Sequence, residues 1–184
     1  MTGLEDLLQN ARARGAPPVE RWNPPYCGDI GLEIRRDGTW FYQGSPILRP
    51  ALVKLFASVL RRDADERHYL VTPVEKVDVA VEDAPFLAVE MGAEGAGPAQ
   101  RLVFRTNVDD VVACDAEHPL RFACVGPVGG LKPYITVRGR LEALLSRALY
   151  YDLVELAVTE TRDDAAVLGC WSGGVFFPLT DGEP

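Results

Sequence analysis

Asp109-Asp110 and the run Cys114-Asp115-Ala116-Glu117-His118 gather acids, a thiol and an imidazole closely enough for chemistry. Clustered carboxylates can hold a metal ion or act as a general base toward a phosphoester. A Cys nucleophile needs a His base that a third group orients. His118 is followed by Pro119 and reads as a turn residue rather than a base. Neither cluster has the fixed spacing of a catalytic motif. "VGPVGGLKP" lacks the G-x-x-x-x-G-K-[ST] pattern of a phosphate loop, and "WSGG" is not a G-x-S-x-G elbow. Cys27, Cys114, Cys124 and Cys170 form no C-x-x-C pair, and His68 and His118 are the only histidines. A structural zinc site is therefore not expected. No catalytic residue, metal or cofactor is assigned, and a non-enzymatic role leads over an enzymatic one.

Recognition chemistry is better represented. In "FRTNVDD", Arg105, Thr106, Asn107 and Asp109 crowd one bend after an apolar strand. Asn107 would supply turn geometry and the acids would satisfy backbone donors. Alternatively the bend is a ligand-binding cluster with Arg105 as its anion anchor. Lys76 in "TPVEKV" reads either as an edge-strand charge that blocks aggregation or as a second cation for the same ligand. Arg49 stands at one predicted helix start, where unpaired backbone N–H groups favour anions, and Arg138 at the matching point later in the chain. Trp40 and Tyr42, in "DGTWFYQGSPI", are core residues of a strand or the frame of a ligand surface.

These groups must be positioned by short strands and two helices. "IGLEIRRDGTWFYQG" alternates around the turn dipeptide Asp37-Gly38 and predicts a hairpin. In "ILRPALVKLFASVLRRD", Leu48, Leu52, Leu55, Phe56, Val59 and Leu60 share one helical face, with Pro50 in the first turn and Arg61-Arg62 at the far end. Strands are expected over 68–73, 74–81, 86–91, 101–106, 111–114, 121–125 and 134–137. A second helix is expected from the Arg138-Gly139 turn to about Tyr150, then strands over 153–159 and 167–171. Residues 3–14 would make a short amphipathic helix, and the prolines from Pro17 to Pro25 an extended tether.

"WFYQGSPILRPALVKLF" and "PYITVRGRLEALLSRAL" both run from an aromatic strand through a Gly turn into an amphipathic helix. That parallel suggests an internal duplication. The expected fold class is α+β, with two similar halves, each an antiparallel sheet carrying one helix. The expected units are 1–25 (helix and tether), 26–95 and 96–184, with the small-residue run "GAEGAGPAQ" at the boundary.

Composition narrows the partners. The 184 residues carry 19 basic and 27 acidic side chains, for a net charge of −8, and the parts on either side of residue 95 stand at −4 each. There is no basic lobe for a nucleic-acid polymer. No run approaches the roughly 20 apolar residues of a membrane span, so a cytoplasmic protein with reduced thiols is expected.

In order and spacing, "CGDIGLEIRRDGTWFYQGSPI", "LVTPVEKV", "FRTNVDD", "GLKPYITVRGRLEALLSRALYYDLV" and "WSGGVFFPL" resemble a bacterial family, the domain of unknown function DUF1285. The likeness runs from about Pro24 to Leu179. It implies a duplicated α+β core whose second half is superficially like a pleckstrin-homology fold. It also implies a pocket between the halves for a nucleotide-like molecule, and a part in signalling. It carries no catalytic residues. The leading expectation is a module whose halves clamp a small anionic ligand with Arg105, Asn107, Lys76 and Arg138 at their interface. A protein-interaction adaptor that receives a peptide on a sheet edge is the alternative; a nucleotide or phosphoester enzyme comes third.

Overall fold

A computed structural model of the chain describes residues 15, 17–126 and 130–180. Two six-stranded sheets and a small third sheet carry two helices. β1 (Leu32–Ile34), β2 (Trp40–Tyr42), β3 (Ser45–Pro46), α1 (Pro50–Ser58), β4 (Leu60–Arg62), β5 (His68–Val71) and β6 (Lys76–Val81) make the first half. β7 (Phe86–Glu94), β8 (Arg101–Thr106), β9 (Val111–Ala113), β10 (Leu120–Val125), β11 (Gly130–Arg138) and β12 (Leu141–Leu145) make the second sheet. α2 (Arg147–Glu155) follows, then β13 (Val158–Arg162), β14 (Ala165–Ser172) and β15 (Val175–Pro178) form the third sheet.

The strand orders are β3-β2-β1-β6-β5-β4 and β10-β11-β12-β7-β8-β9. Read from the opposite end, the second order is the first shifted by six strands. In both sheets the first and sixth strands pair in parallel at the centre, and all other neighbours are antiparallel. The duplication thus lies in the sheets. The helices do not correspond: α1 sits between the third and fourth strands of its half, whereas α2 follows the sixth.

The two helix starts matched in the sequence are therefore not equivalent positions. Residues 141–145, expected in the second helix, are strand β12, which pairs with β11 and in parallel with β7. Leu141, Ala143 and Leu145 are buried, in the alternation of a strand. The helix begins only after Ser146, whose hydroxyl accepts from Leu149 N at 3.4 Å. It also runs past Tyr150 to Glu155, so the expected strand at 153–159 begins at Val158. The first helix likewise ends at Ser58, and Arg61-Arg62 lie in β4, whose residue pairs with β5 are Arg61↔Tyr69 and Arg62↔His68.

β7 belongs to the second sheet, so the halves meet at the Glu82–Pro85 connection rather than near residue 95. The segment from Pro17 to Pro25, expected as a tether, is docked on the first sheet, as are the residues that follow it up to Gly28. Val19 is buried, Arg61 Nη1 donates to the carbonyls of Val19 (2.8 Å) and Trp22 (2.7 Å), and Cys27 N donates to Lys76 O at 2.8 Å. The helix expected over residues 3–14 lies outside the described residues.

One apolar cluster joins the halves. Leu32, Ile34, Trp40, Leu60 and Val79 of the first sheet meet Phe86, Phe104, Leu120, Phe122 and Ile135 of the second. The third sheet is tied on by Ser172, which is wholly buried; its hydroxyl donates to Cys114 O at 2.6 Å and accepts from Leu102 N at 2.9 Å. Both capacities of that hydroxyl are filled, as burial requires.

Candidate functional site

A polar cleft of about 620 Å³ opens between the two halves. The first half supplies Arg62 from β4, Glu66 from the β4–β5 turn and His68 from β5. The second supplies Arg121 from β10, Tyr134 and Thr136 from β11, Arg140 from the β11–β12 turn and Glu142 from β12. Asp83 and Pro85, in the connection between halves, complete the lining together with Phe122 and Gly139. Strand pleating brings these groups together: Arg62 and His68 face each other across β4–β5, and Arg121 is the cross-strand partner of Tyr134.

The carboxylates hold the guanidinium groups in place. Arg121 grips Glu142 with two hydrogen bonds, Nε to Oε1 at 2.8 Å and Nη2 to Oε2 at 3.0 Å, while its guanidinium lies 4.5 Å from the centre of the Tyr134 ring. Glu66 faces both remaining arginines. Arg62 donates to its carboxylate and, from Nε, to its backbone oxygen at 3.3 Å; Arg140 pairs with it at 3.3 Å and donates to Asp63 O at 3.0 Å. Glu66 has a left-handed backbone, φ 66°, which costs a non-glycine residue energy.

Asp83 is withdrawn from this exchange. Its carboxylate accepts from Lys132 and from Tyr134 Oη (2.7 Å) and lies 3.8 Å from Arg36. Burial works against its charge, but these donors hold its carboxyl below the usual range. Burial, and then the hydrogen bond to Asp83, push the Tyr134 hydroxyl above its ordinary value. Burial, aided by the Arg62 charge and opposed by Glu66 and Glu142, lowers His68 to about 4. At neutral pH the cleft therefore presents three guanidinium groups, the Glu66 and Glu142 carboxylates that hold them, a neutral imidazole, a phenol and a threonine hydroxyl. Such a set can bind anionic oxygens and planar groups. Its lining contains no nucleophile paired with a base, and no group of three or more His, Cys, Asp or Glu side chains among the described residues is arranged to hold a metal.

None of the seven residues proposed from the sequence lines this cleft. Arg105, Asn107 and Arg138 do lie where the halves meet, but each is occupied by protein groups. Arg105 binds Glu90 (2.8 Å) and Asp109 (2.9 Å); Asn107 Oδ1 accepts from Leu87 N at 3.0 Å. Arg138 binds Asp110 and the carbonyl of Ala57, so it meets α1 at the end of that helix rather than at a helix start of its own. Lys76 sits on the outer face of the first sheet, bonded to Asp63 at 3.0 Å and over the Tyr69 ring. Arg49 is exposed at the start of α1, where its carbonyl, not its side chain, serves the helix. Trp40 is 1% exposed in the core beside Phe56, and Tyr42 borders an apolar cavity under α1.

The cleft residues gave little signal in the sequence, because they come from five strands, two turns and the connection between two separate sheets. The acid and thiol cluster at residues 114–118 is structural. Cys114 is buried, which pushes its thiol up to about 12, and Asp115 spends its carboxylate on the backbone N–H groups of Glu117 and His118, both at 2.9 Å. No helix among the described residues is long and apolar enough to cross a membrane.

The chain matches two family models. One is the N-terminal domain of the domain of unknown function DUF1285, over residues 17–84, and the other is the C-terminal domain of the same family, over residues 85–179. The chain belongs to this family. Among solved structures, it is similar to a DUF1285 family protein from Silicibacter pomeroyi DSS-3, at 49% identity and a TM-score of 0.84, over 95% of this chain and 94% of that one. It is also similar to a DUF1285 family protein from Shewanella baltica OS155, at 32% identity and a TM-score of 0.53, over 68% of this chain and 91% of that one. No curated protein matches.

Proposed function

We propose that this member of the DUF1285 family is a non-enzymatic binding or sensor module that takes a small anionic, nucleotide-like molecule between its halves. One observation carries the reading: Arg62, Arg121 and Arg140 converge from both halves on a cleft of about 620 Å³, a volume within the range of small-molecule sites. Each guanidinium is held by a cleft carboxylate, Glu66 or Glu142, so an incoming phosphate or carboxylate exchanges one anion for another without ordering a mobile side chain. With Asp83 bound to Lys132 and Tyr134, the lining favours an anion over a cation.

The same arrangement suggests how occupancy would be signalled. Glu66 belongs to the first half, and Arg140 reaches it from the second. A ligand that takes Arg140 and Arg62 releases Glu66, and with it the strained turn between β4 and β5. Binding would thereby change how the halves are joined, which is what a sensor requires. Thermal shift with nucleotides and phosphate metabolites, on the parent and on Arg140→Ala, tests the reading.

A further inference from the structure

The face of the first sheet that supplies His68 to the cleft carries Leu70 two residues further along β5, and there a second cavity opens, of about 580 Å³. Leu32, Leu70 and Val77 form its floor, each no more than 7% exposed, and Leu52, Leu55, Phe56 and Val59 overhang it from α1 and its end. A surface helix normally gains stability by seating its apolar stripe on the sheet. Ala57 alone of the nine α1 residues is buried. Part of the stripe does reach the core, with Val53 and Phe56 packed against it and Phe56 beside Trp40. The helix is further fastened to the second half, through Lys54 to Asp109 and through Arg138 to Ala57 O. The space is an open groove rather than an interior void: Tyr42 and Leu55 on its rim are 44% and 59% exposed, so an apolar molecule can reach its buried floor.

The lining specifies what fits. Its polar atoms belong to Tyr42, Thr72 and Glu75. The Tyr42 hydroxyl accepts from Gln43 at 3.2 Å, and the Thr72 hydroxyl accepts from Glu75 N at 3.1 Å. Glu75 is exposed and is the single charged group of the lining. A heteroaromatic ring would enter with its polar atoms unmatched, whereas an unbranched alkyl chain has none to match. A carboxylate head would be repelled by Glu75; a hydroxyl or ammonium would not.

We propose that this cavity binds an unbranched aliphatic chain ending in an uncharged or cationic head group, with the head beside Glu75. The proposal is independent of the polar cleft.

Calorimetric titration of the full chain with octylamine, decylamine, decan-1-ol and decanoate, each below its aggregation threshold, tests it. Decylamine and decan-1-ol should bind and decanoate should not, with affinity rising about fourfold per methylene from octylamine to decylamine. Val77→Phe should fill the floor and abolish binding. Glu75→Lys, on an exposed turn, should shift the preference to decanoate. Absence of binding by every chain, or affinity indifferent to chain length or to Glu75→Lys, would overturn the proposal. So would a concentration-dependent dimer dissolved by Leu55→Glu, which would show a second copy covering this face.

Discussion

Arg138, at the end of β11 in the second half, donates to the carbonyl oxygen of Ala57 in the last turn of α1, in the first half. The last carbonyls of a helix have no partner within it, and a cation there is favourable. Arg138 also binds Asp110 and lies over the Phe86 ring at 5.1 Å. One side chain thus links a helix end, a bend and the core of two topologically equivalent sheets.

Arg138→Ala should destabilise the protein by about 2 kcal/mol, because a charge-assisted bond to a helix end is lost and Asp110 loses the guanidinium that binds it. Urea unfolding with an unchanged slope would read this as a shift in midpoint. Arg138→Lys should restore only part, since an ammonium cannot reproduce the planar fork.

The turn of the first hairpin touches the second half through a glycine. Gly38 has φ 81°, and a side chain there would stand 2.7 Å from Asn107 Nδ2. Gly44 has a similar φ, 79°, with nothing within 4 Å. Both Ala variants incur the backbone strain, on the order of 1 kcal/mol, but only Gly38→Ala also displaces Asn107 from Leu87. Urea midpoints should therefore place Gly38→Ala below Gly44→Ala by a further 1 kcal/mol or so.

Much of the strand pattern was legible because turns were marked by Gly and Asp and the strands by alternation, as at Arg101–Thr106 and Val111–Ala113. "LEALL" was not. Its residues are good helix formers, but parallel pairing with β7 and burial of every second side chain override that preference. The cleft was illegible for a different reason. Arg62 and Arg140 are 78 positions apart and share Glu66 only once the sheets meet. The cation clusters visible locally, Arg105 with Asp109 above all, were visible because they satisfy one another.

His68 makes stability depend on pH in a defined window. Its imidazole titrates at about 4 when folded, against 6.5 for the unperturbed group. Between these values the unfolded chain holds a proton that the folded chain does not, so this contribution is complete above about 6.5 and is lost as pH falls toward 4. The slope is bounded by about 1.4 kcal/mol per pH unit and is shallower with solvent screening. His68→Gln should flatten the dependence of the urea midpoint across this window, and the His68 ring resonance of the parent should titrate near 4.

Binding of a small anionic ligand in the cleft between the halves is read from the thermal midpoint of the parent and of two variants in millimolar nucleotides and phosphate metabolites. Arg140→Ala removes a cleft guanidinium and Arg105→Ala one outside it. At least one compound should raise the midpoint of the parent and of Arg105→Ala but leave Arg140→Ala unmoved. No rise with any compound, or an equal rise in Arg140→Ala, would contradict it.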